Sequence, residues 1–113
     1  MADQIDLTIA VAATADSATV HCRGRLLLTS AGLLRQEVKP LIARLRHITI
    51  DFSDVTMMDS VGLGTIASLY VSAKTAGAEL HLVNIRPRIR ELFSVSRLLS
   101  LFESCGEANI RMP

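Results

Sequence analysis

Aromatic side chains are almost missing from these 113 residues: there are three Phe, one Tyr and no Trp. Stacking on bases or sugars depends on such rings, so that mode of recognition is not expected. A dominant charge sign is missing too. Twelve basic and eleven acidic side chains leave a formal net charge of +1, which gives no electrostatic footprint for nucleic acid or an anionic membrane surface. Apolar runs fall far short of the ~20 residues that span a bilayer. The start, Met1 to Asp6, has neither the basic residues nor the apolar stretch of a secretory signal. The expectation is a cytoplasmic protein with no nucleic-acid partner and no direct membrane insertion. Cysteine is equally scarce, and Cys22 and Cys105 stand too far apart to make a metal-binding pattern. Cys22 lies in an apolar, β-like stretch and reads as a buried free thiol. His21, His47 and His81 fall in or beside predicted strands and form neither an HxH nor an HxxxH pair, so no metal is expected.

Half of the residues are hydrophobic and a fifth are charged, a balance that folds, since disorder is marked by few apolar residues and high net charge. The length suits one domain over residues 1–113. A chain of this size buries roughly 60–70% of its unfolded surface, enough for a core without disulfides. No repeat, linker or low-complexity segment interrupts it.

The elements alternate. Residues 7–11 and 18–23 read as strands of a hairpin, with Val20 and Cys22 facing inward, His21 and Arg23 outward, and Gly24 breaking the pattern. Thr29 or Ser30 caps a helix in which Leu33, Leu34, Val38, Leu41, Ile42 and Leu45 recur near a period of 3.6. Pro40 predicts a kink or an early end to it. Residues 47–52 form the clearest strand, Ile48, Ile50 and Phe52 alternating with Thr49 and Asp51. A loop over 53–59 then leads to a helix over 60–76 closed by Gly77. Another strand covers 79–84, and Pro87 opens a third helix with Ile89, Leu92 and Phe93 on one face. Arg86, Arg88 and Arg90 point largely to water, and Leu98, Leu99, Leu101 and Phe102 form a short strand or turn. The order predicts an α/β fold: a mixed four- to five-stranded sheet with helices packed mainly on one face.

The unusual segment runs from Asp54 to Ala67. A helix opens there on Asp59, Ser60, Gly62 and Gly64, although glycine in a helix costs ~1 kcal/mol relative to alanine. Local rules broken at one spot point to function. Small residues at a helix start let another backbone, or a phosphate, approach its unpaired N–H groups. On spacing alone Ser60 reads as a plain N-cap, and Asp59 serves that role equally well. Residues 62–67 also fit G-x-G-x-x-A. A dinucleotide site is nevertheless disfavoured, because the strand ends several residues earlier and the chain is too short for paired mononucleotide-binding halves. A serine hydrolase is weaker still, since Met58 stands where the nucleophile elbow needs glycine.

Met58-Asp59-Ser60-Val61-Gly62-Leu63-Gly64 resembles the Asp-Ser-(Ser/Thr)-Gly-Leu signature of STAS domains, the anti-sigma factor antagonists. Residues 48–55 resemble the family's central strand, 78–84 its next strand, 87–101 its third helix, and Gly24-Arg25-Leu26 its Gly-Glu-Leu turn, so the resemblance covers nearly the whole chain. It implies a STAS-type fold and a binding protein instead of an enzyme, with no cofactor and no catalytic residue. It also implies phosphorylation of Ser60 by an anti-sigma factor of the serine-protein-kinase type. The unphosphorylated form would bind that kinase and release a sigma factor, and a metal-dependent phosphatase would reset the switch. Met57, Met58, Asp59, Gly62, Leu63 and Gly64 become the partner-binding surface. With the resemblance, the phosphosite is the preferred reading of Ser60, and Val61 removes the second hydroxyl that family members often carry. Arg25 and Leu27 replace acids of the family's Gly-Glu-Leu-Asp turn. Those two departures open a second reading, a non-switching STAS subunit of a signalling scaffold or lipid-transport ABC complex.

Overall fold

The computed structural model describes residues 6–95. The expectations for Leu98, Leu99, Leu101, Phe102 and Cys105 lie outside the described residues, as does the side chain of Phe93. Among the described residues the order is β1 (Leu7–Ala13), β2 (Ser17–Leu26), α1 (Ala31–Arg44), β3 (His47–Met58), α2 (Ser60–Ala76), β4 (Glu79–Val83) and α3 (Pro87–Val95). The sheet runs β1-β2-β3-β4. β1 is antiparallel to β2 through a tight turn, whereas β2, β3 and β4 are parallel. Each parallel step is made through a helix. Right-handed crossovers in one direction put both helices on the same face, where α1 and α2 pack on each other. The expected α/β mixed sheet with helices mainly on one face is what is found.

Alternation decides which face is covered. Val20, Cys22, Ile48, Ile50, Phe52, Leu80 and Leu82 point under the helices, each at most 1% exposed. They meet Leu34, Val38, Leu41 and Ile42 of α1 and Leu63, Ile66, Leu69 and Tyr70 of α2 in one core. Ser17, His21, Thr49, Asp51 and His81 fall on the opposite, half-buried face. Burial pushes the Cys22 thiol up to about 12, with Asp51 adding to the effect, so the thiol stays protonated as a small hydrophobe.

Four local expectations fail, each for a physical reason. The loop over 53–59 is instead the second half of β3, which continues to Met58. His21 pairs with Asp51 but Arg23 with Asp54, and Gly24 pairs with Val55 but Arg25 with Met57. β3 therefore carries an extra residue twice, and these bulges turn Phe52, Val55 and Met58 inward at every third position. Gly24 does not end β2. It holds φ +114°, and a Cβ there would lie 2.2 Å from the carbonyl oxygen of Asp6, which accepts the Arg25 N–H. The early end expected at Pro40 is not found, and α1 runs on to Arg44. Its ring is on the exposed side, so the Gln36 carbonyl that loses a donor faces water, while Leu41, Ile42 and Leu45 anchor the last turn in the core. Leu33, assigned to the buried stripe, is 39% exposed.

Candidate functional site at the start of α2

β3 delivers the chain to α2 with a single residue, Asp59, between them. Asp59 is extended (φ −105°, ψ −176°) and caps the helix through its own side chain. Its Oδ1 accepts the Gly62 N–H at 2.8 Å, and its Oδ2 accepts the Leu28 N–H at 2.9 Å. Its backbone N–H donates to the Leu26 carbonyl at 3.3 Å. One carboxylate thus ties the helix start to the β2–α1 connection. The Gly62 N–H holds that carboxyl below its ordinary range; desolvation opposes this, and the Leu28 and Val61 N–H groups reinforce it. Asp59 is therefore an anion at neutral pH.

Because the aspartate does the capping, the serine is released from it. Ser60 is the first residue of α2 and is exposed. Around it stand apolar side chains that the core does not take up: Leu28 is 68% exposed, Met57 48% and Val61 41%. Leu28 had no signal in the sequence, because only the Asp59 bond to its N–H brings it to this place. Met58, grouped in the sequence with Met57, turns inward at the end of β3 and is 9% exposed. With Thr56, Met57, Arg88, Ile89 and Leu92 it lines a cavity of about 200 Å³ between β3 and α3.

The two glycines do different work. A Cβ on Gly62 would meet the Leu26 carbonyl oxygen at 2.4 Å and the Leu26 and Met58 side chains at 3.0 Å. Gly62 is buried, and its missing side chain admits the β2 backbone. The space a G-x-G phosphate would need is already occupied. Gly64 is exposed, and a Cβ added to it would meet nothing within 4 Å. Leu63, between them, is buried in the core. Of the named residues, Met57, Ser60 and Gly64 lie at the surface, Asp59 is half-buried, and Met58, Gly62 and Leu63 lie beneath.

Arg25 is turned away from this surface. Its guanidinium pairs with the Asp6 carboxylate, which also accepts the Thr29 hydroxyl at 2.6 Å. Ser30 Oγ donates to the Arg25 carbonyl at 2.8 Å and accepts the Leu27 N–H at 2.9 Å. The departure at Arg25 therefore braces the β2–α1 connection. Of the three arginines expected in water, Arg86 and Arg88 are exposed, and Arg86 donates through Nε to the Ser53 carbonyl at 3.0 Å. Arg90 is half-buried. Among the described residues no helix is long and apolar enough to cross a membrane.

The STAS domain profile matches residues 8–111. The anti-sigma-B factor antagonist of Bacillus subtilis is 31% identical over 84 residues, covering 74% of this chain and 77% of that protein. Among solved structures, an anti-sigma factor antagonist from Mycobacterium paratuberculosis superposes with a TM-score of 0.72 at 22% identity, over 83% of this chain and 80% of that one. Unphosphorylated SpoIIAA gives 0.71 at 20% identity, over 80% and 82%. SpoIIAA from Bacillus has also been solved in a phosphorylated form, at 0.67 and 20% identity, over 80% and 85%.

Proposed function

The chain belongs to the STAS domain family, and from that premise we propose that it is an anti-sigma factor antagonist switched at Ser60. The observation that carries this reading is the division of labour at the start of α2. Asp59 makes the cap bonds, and the neighbouring serine is left exposed among uncovered apolar side chains. A serine needed for the helix would be a poor phosphoacceptor. This one is accessible, and its modification breaks no cap.

In this reading the unphosphorylated protein docks an anti-sigma factor of the serine-protein-kinase type on Leu28, Met57, Val61 and Gly64, and a sigma factor is released. Phosphate on Ser60 adds ~1.5–2 negative charges next to the Asp59 carboxylate. Within the chain the helix terminus favours an anion, and the group projects into water, so the fold is little disturbed. At the interface, however, two adjacent anions must be stripped of water against an apolar surface. A penalty of ~3 kcal/mol weakens binding ~100-fold, since each 1.4 kcal/mol is tenfold. A metal-dependent phosphatase then restores the hydroxyl. In this reading the protein itself catalyses nothing and works in the cytoplasm.

The test is phosphate mapping. The protein is incubated with ATP and its kinase-type anti-sigma factor, and the modified residue is located by mass spectrometry. A single phosphate on Ser60 is expected, absent from Ser60→Ala. Modification that persists in Ser60→Ala, or no modification by a partner that binds, would overturn the proposal.

A further inference from the structure

The half-buried face of the sheet carries a second constellation, at the end of β3 remote from Ser60. His47 opens β3 and Glu79 opens β4, and the parallel register sets them opposite each other. His81, two residues along β4, points to the same side. The Glu79 N–H donates to the Arg46 carbonyl at 2.7 Å, and the His47 N–H donates to the Asp16 carbonyl at 3.2 Å, so both strand starts are held by backbone bonds. Nδ1 of His47 lies 3.2 Å from Oε1 of Glu79, and Nε2 of His81 lies 3.3 Å from the same oxygen. All three ligand atoms fall within 4.8 Å of one another.

We propose that His47, Glu79 and His81 form a binding site for a divalent transition ion of the Zn²⁺ class. Two imidazole nitrogens and one carboxylate oxygen are the donor set such borderline ions prefer, whereas Mg²⁺ and Ca²⁺ demand oxygen. The spacing fits as well as the chemistry. Bonds of about 2.0–2.1 Å in tetrahedral geometry set donors about 3.3 Å apart, which two of the three separations already match. His81 is anchored, with its side chain 19% exposed and its Nδ1 buried, so Nε2 is the nitrogen turned toward the cluster. His47 and Glu79 are 47% and 58% exposed, which gives an ion a route in and leaves it water as a further ligand.

The remaining histidine supplies the contrast. His21 also meets two carboxylates, but Asp54 contacts its Nε2 at 2.7 Å and Asp51 lies 3.6 Å from its Nδ1. The acids sit on opposite ring nitrogens, so no single ion is shared by all three groups.

The experiment is calorimetric titration of the untagged chain with ZnCl2 in a non-chelating buffer, together with Co²⁺ titration followed by visible absorption. One ion per chain, a micromolar dissociation constant, and Co²⁺ bands of low-coordinate N/O ligation are expected. His47→Ala, His81→Ala and Glu79→Gln should each weaken binding at least about tenfold, because loss of even an outer-shell partner costs 10–100-fold. His21→Ala should bind as wild type does. Melting curves without metal establish that each variant is folded, and Glu79→Gln, isosteric at an exposed position, decides the matter if a histidine variant unfolds. No binding up to millimolar Zn²⁺, unchanged binding in Glu79→Gln, or equal loss in His21→Ala would overturn the proposal.

Discussion

Alanine placed at Gly62 and at Gly64 is expected to move stability in opposite directions, although the positions are two residues apart on one helix. At Gly62 the new methyl would lie 2.4 Å from the Leu26 carbonyl oxygen, where real Cβ atoms stay beyond 3.0 Å. The obstacle is backbone, not the pliable end of a side chain, so α2 must retreat from β2 by at least about 0.6 Å. That carbonyl accepts the Asp59 N–H at 3.3 Å, a bond the retreat lengthens. Overpacking costs ~1–3 kcal/mol and the weakened bond up to ~1 kcal/mol, offset by at most ~1 kcal/mol of helix propensity. The net loss is ~1–3 kcal/mol. At ~4 °C per kcal/mol for a domain of this size, the melting temperature should fall by ~4–12 °C. At Gly64 nothing lies within 4 Å, so only the propensity gain remains, ~1 kcal/mol or ~4 °C upward. Scanning calorimetry of the two variants reads both numbers. A Gly62→Ala protein as stable as wild type, or two shifts of the same sign, would refute the idea that Gly62 is glycine for the sake of the β2 backbone.

Ser60→Asp should melt within about 2 °C of wild type, because the residue is exposed and α2 is capped by its neighbour. It should nevertheless lose most affinity for the kinase-type partner, while Ser60→Ala keeps it; titration calorimetry compares them, and tight binding by Ser60→Asp counts against the electrostatic mechanism. Acid should destabilise the fold through Asp59 and Asp6. Asp59 is held below 3.8 by the Gly62 N–H, and Asp6 by the Thr29 hydroxyl with help from Arg25. Both carry fewer protons folded than unfolded, so their contribution is whole above 3.8 and is lost as pH falls through the lower folded values. Denaturant midpoints measured from pH 5 down to pH 2 should drop, and less steeply in Asp59→Ala. Cys22 should resist thiol reagents until the chain unfolds, since burial pushes its thiol to about 12 and only the thiolate reacts; rapid labelling of the native protein would contradict that placement.

Where one periodicity governs a stretch, the sequence is legible. Ile48, Ile50 and Phe52 alternate and are buried, and α2 begins after a capping aspartate and ends on Gly77 in the left-handed conformation. Legibility stops where two periods compete. The bulges of β3 replace the spacing of two by a spacing of three, so Val55 and Met58 look unpatterned although both face the core. The choice between Asp59 and Ser60 as the cap is equally invisible, because both side chains suit it and only the added bond to Leu28 decides. His47, Glu79 and His81 escape any motif search for a related reason. Their proximity comes from the register of two parallel strands whose starts are 32 residues apart in sequence, and spacing along the chain carries no record of it.

β3 also separates what it carries. β2 covers the same span, Ser17 to Leu26, in nine residue steps of about 3.3 Å each, so the two ends of β3 lie roughly 30 Å apart. At physiological ionic strength the Debye length is about 8 Å. A dianion on Ser60 is therefore screened to a negligible potential at the far end of the strand, and a cation held there is equally invisible to Ser60. The strand is paired on both sides over its first half, which leaves it little freedom to slide and relay a displacement. On the proposed reading, a phosphate on Ser60 is thus a strictly local signal, legible only to a molecule that touches the start of α2.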